Sequence, residues 1–251
     1  MYGRGLSMMH NQKGSTLIIV LMIVLLITII GTLAIRQSVS SLKLVSNNQM
    51  QTLLLQNSDA ALMAFQNPAF QQHIAATNGI VGFFKNENNR DAELVMCFEG
   101  TEPFQLSNAS YRLNSTSFVN MATGSGACHK DSVSSGRSAV VTQVYIKRET
   151  EQVTVPFADL ARGTESLGAK TENNIRLRVY VISVMKGLLS DPNKTLFTDS
   201  TDPKQGCLTK SIDHDGDNQV ANCLKSNEEN PLYNMQVAEY RFLSDFEPSG
   251  S

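Results

Sequence analysis

Residues 17–35 have the sequence LIIVLMIVLLITIIGTLAI, a stretch of nineteen residues without a charged side chain. At about 1.5 Å per residue, this stretch forms a helix of roughly 28 Å, which matches the hydrocarbon core of a bilayer. Arg4 and Lys13 precede the stretch and Arg36 and Lys43 follow it, so the flanking charges do not decide its orientation. We therefore expect the chain to be anchored in a membrane.

The overall composition is that of a folded protein. The chain has 251 residues, of which 41% are hydrophobic and 18% are charged. Its 21 basic residues are balanced by 23 acidic residues, so the sequence does not indicate a basic surface and nucleic acid is not expected as a partner. The sequence contains no phosphate-binding glycine loop, nucleophile elbow or zinc-protease motif, and we expect no enzymatic activity.

Three interpretations of the amino terminus fit the apolar stretch. A secretory signal peptide has a shorter apolar region, roughly 7–15 residues, and a small-residue cleavage site, for which residues 32–34 (Thr-Leu-Ala) qualify. An uncleaved anchor fits the length of the stretch equally well. The third interpretation rests on Lys13 and Gly14, which stand directly before Ser15 and the apolar stretch, as in the leader of type IV prepilins.

The segment from Lys13 to about Phe65 resembles the amino-terminal segment of the PilX family of type IV minor pilins. The similarity begins with KGSTLIIVLMIVLLITIIG at the junction and the apolar stretch. It continues with an asparagine near the middle of the helix, Asn47 or Asn48, and with the sequence DAAL at residues 59–62. The resemblance covers about a fifth of the chain.

The resemblance implies that the prepilin peptidase cuts between Gly14 and Ser15 and that the new amino terminus is methylated. Most pilins have a glutamate at the fifth position of the mature chain, whereas this chain has Ile19. That glutamate is taken to neutralise the amino-terminal charge of a neighbouring subunit inside the apolar filament core, where an unpaired charge is costly. PilX-like pilins and related secretion pseudopilins lack it, which implies a position at the filament tip.

The sequence predicts an α+β protein in three parts. Residues 1–14 form the leader, and residues 15–66 form one long helix, because Pro68 is the first proline of the chain. The part of this helix at 15–35 is expected in the membrane or in the filament core. Residues 67–251 are expected to form a periplasmic globular head, in which an antiparallel sheet packs on the upper half of the helix.

Six segments of the head show the alternation of antiparallel strands. They are residues 93–98, 109–113, 139–148, 152–157, 175–185 and 236–246. For the strand at 139–148 we expect one face to be buried and the other to be exposed. The polar connections at 114–137 and 189–231 are long, so we expect them to be functional or held by disulfide bonds.

All four cysteines follow the apolar stretch, and their spacing matches no zinc site. An even number of cysteines in the part that would face the periplasm predicts two disulfide bonds. Three pairings satisfy this count, and the sequence does not choose between them. The pairing of neighbours, Cys97 with Cys128 and Cys207 with Cys223, closes both long polar connections and is the one that we expect.

The segment DHDGDNQ at residues 213–219 lies between the last two cysteines. Carboxylates at alternate positions beside a glycine converge on calcium in EF-hand loops, where the seventh residue adds a backbone carbonyl. This pattern predicts a calcium site formed by Asp213, Asp215, Asp217 and Gln219. The twelfth position is Leu224 instead of the usual glutamate. The alternative is therefore a polar surface turn that needs no metal.

The resemblance implies a minor pilin of a type IV pilus, within the tip or priming complex that starts filament assembly. Its implied partners are other minor pilins, a tip adhesin and the prepilin peptidase. Its implied location is the inner membrane, with one membrane span and a periplasmic head, and then the pilus tip at the cell surface. One alternative is a minor pseudopilin of a type II secretion system. The alternative of another class is a membrane-anchored periplasmic binding or enzymatic domain.

Overall fold

The structure is a computed structural model, and it describes residues 15–99, 104–113, 118–121, 126–134, 138–149, 175–197, 205–213 and 218–242. One long helix is followed by a mainly antiparallel β-sheet head, which confirms the predicted α+β class. The chain divides into two compact units, residues 1–49 and residues 50–251. The first unit contains the apolar stretch, and the second contains the whole sheet.

Helix α1 spans Ser15–Gln66, as predicted from the absence of proline. It ends where Pro68 excludes the helical conformation from the residue before it, and Asn67 is extended with ψ of 126°. The Asn67 side chain accepts a hydrogen bond from the backbone N–H of Ala69 at 3.0 Å and so caps the next turn. Two short helices follow, α2 (Gln71–Ala75) and α3 (Ile80–Lys85).

Within the described residues, the sheet has six antiparallel strands in the spatial order β3-β2-β1-β4-β5-β6. They are β1 (Glu93–Cys97), β2 (Ser110–Arg112), β3 (Val119–Asn120), β4 (Val140–Arg148), β5 (Ile175–Met185) and β6 (Tyr233–Phe242). Four predicted segments correspond closely to β1, β2, β4 and β5. The last predicted segment begins three residues too late, because β6 starts at Tyr233. The predicted strand at 152–157 lies outside the described residues.

One face of the sheet packs against helices. Its core joins Ala61 and Phe65 of α1 and Phe84 of α3 to Val144 of β4 and Val179 of β5, all of which are buried. The aromatic side chain of Phe65 is central to this core. Its ring centre lies 5.1 Å from that of Phe104 and 4.7 Å from that of Tyr240.

The opposite face of the sheet is also covered, so the expectation of one exposed face on the strand at 139–148 was wrong. Tyr145 of β4 and Ile182 of β5 are buried against Leu208 and Leu224, which belong to the connection between β5 and β6. That connection includes helix α4 (Val220–Ser226). Because this connection is mostly polar, its sequence did not indicate that a few apolar side chains cover the sheet.

Candidate functional site

Along residues 17–35 of α1, the hydrophobic side chains are largely exposed. Its two threonines satisfy their hydroxyl groups within the helix. Thr28 Oγ1 donates to the carbonyl of Leu25 and Thr32 Oγ1 donates to that of Ile29, each at 2.8 Å. Because no side-chain donor is left unpaired here, the segment can lie in lipid without a polar penalty. Within the described residues, α1 alone is long and apolar enough to cross a membrane.

Ser15 is the first residue of α1, and Gly14 lies outside the described residues. Ile19 stands one turn further along the helix, with 54% of its surface exposed. The stretch 17–35 contains no ionisable side chain. The exposed apolar surface of this stretch therefore contains no carboxylate that could pair with the amino terminus of a neighbouring subunit.

Residues 50–66 of α1 attach to the sheet through a buried chain of hydroxyl groups. Ser58 Oγ donates to Ser183 Oγ of β5 at 2.8 Å, and Ser183 Oγ lies 2.9 Å from Thr142 Oγ1 of β4. All three residues are fully buried. An unpaired hydroxyl group in the protein interior costs free energy. These hydrogen bonds therefore fix the position of the helix on the sheet.

The DAAL segment at residues 59–62 joins α1 to β6. Asp59 Oδ1 accepts a hydrogen bond from Gln236 Nε2 at 2.8 Å, and the carbonyl of Leu62 accepts one from the Tyr240 hydroxyl at 3.3 Å. Ala61 is 1% exposed and lies in the core beneath the helix. The acidic residue and the second alanine of this sequence therefore have distinct roles in docking the helix.

Residues 13–62 match the family model PilX N-terminal. The amino-terminal fifth of the chain is therefore similar to the PilX family of type IV pilins. The match covers the junction, the apolar stretch and the DAAL segment, and these are the features on which the resemblance rested. Pilins of this family are structural subunits that interact with other pilus components, and the apolar helix anchors them in a membrane. No curated protein and no solved structure matches the chain.

The head contains both expected disulfide bonds, Cys97–Cys128 and Cys207–Cys223. The second bond is fully buried on the face of the sheet that the connection between β5 and β6 covers. It joins the short 3₁₀ turn at residues 207–209 to α4. The segment between these two elements contains the acidic loop.

A buried ion pair holds the beginning of the acidic loop to the sheet. Glu93 of β1 and Arg112 of β2 are 2% and 4% exposed, and Arg112 Nε lies 3.2 Å from Glu93 Oε1. The other carboxylate oxygen of Glu93 accepts hydrogen bonds from Ser211 Oγ at 2.7 Å and from the Ile212 N–H at 3.0 Å. Burying these charges is tolerable only because each has several partners.

Arg112 extends this contact toward the disulfide. Its Nη2 donates to the carbonyl oxygens of Thr209 at 2.8 Å and Lys210 at 2.7 Å. The guanidinium carbon lies 3.8 Å from the ring centre of Phe118, which is the geometry of a cation–π contact. Together with Glu93, Arg112 binds the whole segment 209–212 to the sheet.

Backbone hydrogen bonds close the base of the acidic loop. The Ser211 N–H donates to the Asn218 carbonyl at 3.1 Å, and the Val220 N–H donates to the Ser211 carbonyl at 2.9 Å. The side-chain amide of Gln219 donates to the Ile212 carbonyl at 3.2 Å. The strands of chain that enter and leave the loop are therefore held side by side.

Of the four predicted calcium ligands, Asp213 and Gln219 lie within the described residues, and Asp215 and Asp217 lie outside them. Asp213 already has two protein partners. Lys147 Nζ lies 2.7 Å from its Oδ2, and the Tyr180 hydroxyl donates to its Oδ1 at 3.2 Å. Burial raises the pKa of Tyr180, which keeps this hydroxyl protonated. Among the described residues, no three acidic, histidine or cysteine side chains form a metal cluster.

Lys186, like Arg112, is a buried cation, and its burial was not predicted from the sequence. Its Nζ donates to the carbonyl oxygens of Lys130 at 2.8 Å and Ser132 at 2.5 Å, which lie beyond Cys128 in the first disulfide-bonded connection. Burial lowers the pKa of Lys186. A single lysine after a strand forms no recognisable sequence motif. Both of its acceptors are backbone carbonyl groups that lie more than fifty residues earlier in the chain, so nothing near Lys186 in the sequence indicates them. Glu93 and Arg112 could have been suspected, since each is charged within a predicted strand.

Proposed function

We propose that this pilin is a minor pilin of the tip or priming complex that initiates a type IV pilus. The observation that carries the proposal is Ile19, an apolar side chain at the fifth position of the implied mature chain. A subunit without a carboxylate there cannot neutralise the amino terminus of a subunit placed above it, and an unpaired charge in an apolar filament core is costly. The top of the filament is the position where this pairing is not needed.

The surface of α1 supports the same proposal. The side chains of residues 17–35 are apolar on every side, and the threonine hydroxyl groups bond within the helix. Such a helix is equally stable in lipid and in a filament core made of similar helices, because both surroundings are apolar. The head is then on the periplasmic side, where disulfide bonds persist. Other minor pilins and a tip adhesin are the proposed partners.

Replacing Gly14 by valine is expected to leave a full-length precursor and to abolish the contribution of the chain to piliation. The wild-type chain should begin at Ser15 when its amino terminus is sequenced, because the peptidase requires the small residue before the cut. The matched control is Gly31→Ala, within α1, where an added methyl group meets no atom within 4 Å apart from the neighbouring helix backbone. This variant should be cut and should support wild-type numbers of pili, counted by electron microscopy.

Gold labelling of the head in the same cells tests the tip position. The expected result is a single label at the filament end. Label along the shaft, or a mature chain that begins at Met1 or after Ala34, would contradict the proposal. Normal pili in cells that lack the chain, together with a block in protein secretion, would favour the minor pseudopilin of a type II secretion system instead.

We also propose that the acidic loop at residues 213–219 binds calcium. The closed base between Ser211 and Val220 and the neighbouring disulfide support this, because they hold the loop ends together. A cation must compete with Lys147 for Asp213, so we expect weak binding, with a Kd of roughly 10⁻⁴ to 10⁻³ M as in extracellular calcium modules.

Calorimetric titration of the full chain in detergent checks this expectation. Asp215→Ala should abolish the heat of calcium binding, because it removes a carboxylate ligand from the middle of the loop. Asp91→Ala is the control, since Asp91 is an exposed acid before β1 and outside the loop. No heat with the wild-type chain, or equal heat with Asp215→Ala, would end the calcium proposal.

A further inference from the structure

The two edges of the described sheet differ strongly in length. The edge strand β3 has two residues, whereas the opposite edge strand β6 has ten. A long exposed edge can pair with other chains, and proteins usually protect it with proline, charged side chains (above all lysine), bulges, short strands or a covering segment. The sequence of β6, YNMQVAEYRF, has no proline, glycine or lysine, and its register with β5 is unbroken from Tyr233 to Phe242. Within the described residues, the part of this edge from Tyr233 to Ala238 therefore lacks these protections, and the charged Glu239 and Arg241 follow it.

The ladder shows which backbone groups of β6 point outward. The Met185 N–H donates to the Leu232 carbonyl at 2.9 Å, just before β6, and bonded pairs then alternate along an antiparallel ladder. Even-numbered residues of β6 consequently bond to β5. The odd-numbered residues direct their N–H and C=O groups away from the sheet. Those groups include the ones of Tyr233, Met235, Val237 and Glu239.

The side chains beside this edge are of two kinds. On the face away from α1, Val237 is 50% exposed and Met235 is partly buried. On the face of α1, Gln236 is bonded to Asp59. Around Met235 and Val237 the edge is therefore apolar on the face away from α1, and around Gln236 and Asp59 it is polar on the face of α1. The charged Glu239 and Arg241 follow on the face away from α1.

Helix α1 continues this surface. Leu55 and Met63 lie four residues before and after Asp59, so they share the side of the helix that meets β6. They are 42% and 71% exposed. Under the proposed function neighbouring subunits pack beside α1, so a subunit that contacts Leu55 and Met63 also lies beside β6.

We propose that β6 accepts an extended strand from a different subunit of the pilus, which becomes the seventh strand of the sheet. This inference rests on the proposed function as a minor pilin. The incoming strand is amphipathic: its apolar side chains alternate opposite Met235 and Val237, and polar or basic side chains face Asp59. Main-chain hydrogen bonds supply the affinity and the alternate side chains supply the specificity, as in other cases of strand addition.

A second copy of this chain cannot pair its own β6 antiparallel with this edge. Asp59 contacts Gln236, and Leu62 contacts Tyr240, so this part of α1 runs in the same direction as β6. Antiparallel pairing of two β6 strands would make the two α1 segments run in opposite directions. Subunits that are anchored in one membrane enter it from the same side, so their helices share one direction.

The test uses the full chain in cells, with a photo-crosslinking amino acid in place of the exposed Met63. Illumination should yield an adduct with another pilus subunit. Val237→Pro removes an outward N–H without removing a bond to β5, so it should keep the fold and reduce the adduct at least tenfold. Val237→Thr keeps the N–H and should retain the adduct within twofold. Both variants should keep both disulfide bonds and resistance to protease.

Val237→Lys tests the same edge if the proline variant does not fold. Lysine keeps the N–H but places a charge where the incoming apolar side chain packs, and it should also reduce the adduct at least tenfold. Full crosslinking with folded Val237→Pro or Val237→Lys, or adducts made of two copies of this chain, would overturn the inference. If the chain is still processed after Gly14 and needed for pili in those cells, the proposed function stands. If it is not, both fail.

Discussion

Substitution of Glu93 by leucine is expected to destabilise the head by about 3 to 5 kcal/mol, the usual cost of breaking a buried ion pair by removing one partner. Arg112 would remain 4% exposed, without the carboxylate that lies 3.2 Å from its Nε. Ser211 Oγ and the Ile212 N–H would also lose their acceptor. We therefore expect the acidic loop to detach from the sheet before the rest of the head unfolds.

Urea unfolding of the full chain in detergent, followed by circular dichroism, measures this loss. The control is Glu87→Leu, which removes an exposed ion pair with Arg90, whose atoms lie 3.8 Å apart. That change should cost less than about 1 kcal/mol. The double variant Glu93→Leu with Arg112→Met should be more stable than Glu93→Leu alone, because it removes the unpaired charge. Equal stability of Glu93→Leu and Glu87→Leu would contradict the importance of the buried pair.

Replacement of Gly126 by alanine should cost about 3 kcal/mol or more, at or above the upper end of the usual range for overpacking. The added Cβ would stand 2.0 Å from the Ser110 nitrogen, 2.3 Å from the Ala109 carbonyl carbon and 2.5 Å from the Val95 oxygen. These are backbone atoms of two strands or their neighbours, so no side-chain rotation relieves the clash. The Gly126 N–H also donates to Ser110 Oγ at 2.7 Å, and this bond would be lost as the chain moves away.

Gly187→Ala is the matched control for this change. Its Cβ would approach the Cβ of Ala139 at 3.2 Å, a contact that a shift of a few tenths of an ångström relieves. We expect it to change the free energy of unfolding by less than about 1 kcal/mol. The measurement is the urea midpoint of both variants under the same conditions. A Gly126→Ala chain as stable as Gly187→Ala would show that the segment 126–134 is not held against β2.

The elements that could be predicted are those that local sequence decides. The extent of α1 followed from the lack of proline before Pro68, and β5 followed from alternation over 175–185. Both patterns act within a few residues, through backbone sterics and the period of the side chains. The disulfide pairs were expected for a related reason, since they close the long polar connections between predicted strands.

The second covered face of the sheet could not be predicted in this way. Tyr145 is buried by Leu208, more than sixty residues later in the chain, and the carbonyl of Leu208 accepts the hydrogen bond of the Tyr145 hydroxyl at 2.8 Å. Nothing near Tyr145 in the sequence distinguishes a covered face from an exposed one. The same reason applies to Lys186, whose acceptors are backbone carbonyl groups of another connection.

The sequence by itself therefore determined the apolar helix, the expected junction at Gly14 and Ser15, and the resemblance to PilX-family pilins, because these depend on runs of adjacent residues. It also identified Ile19 by its position alone. Only the tertiary structure decided that Glu93 and Arg112 are buried together and that β6 is a long edge beside α1. Those features depend on contacts between distant segments, and such contacts form only when the whole head has folded.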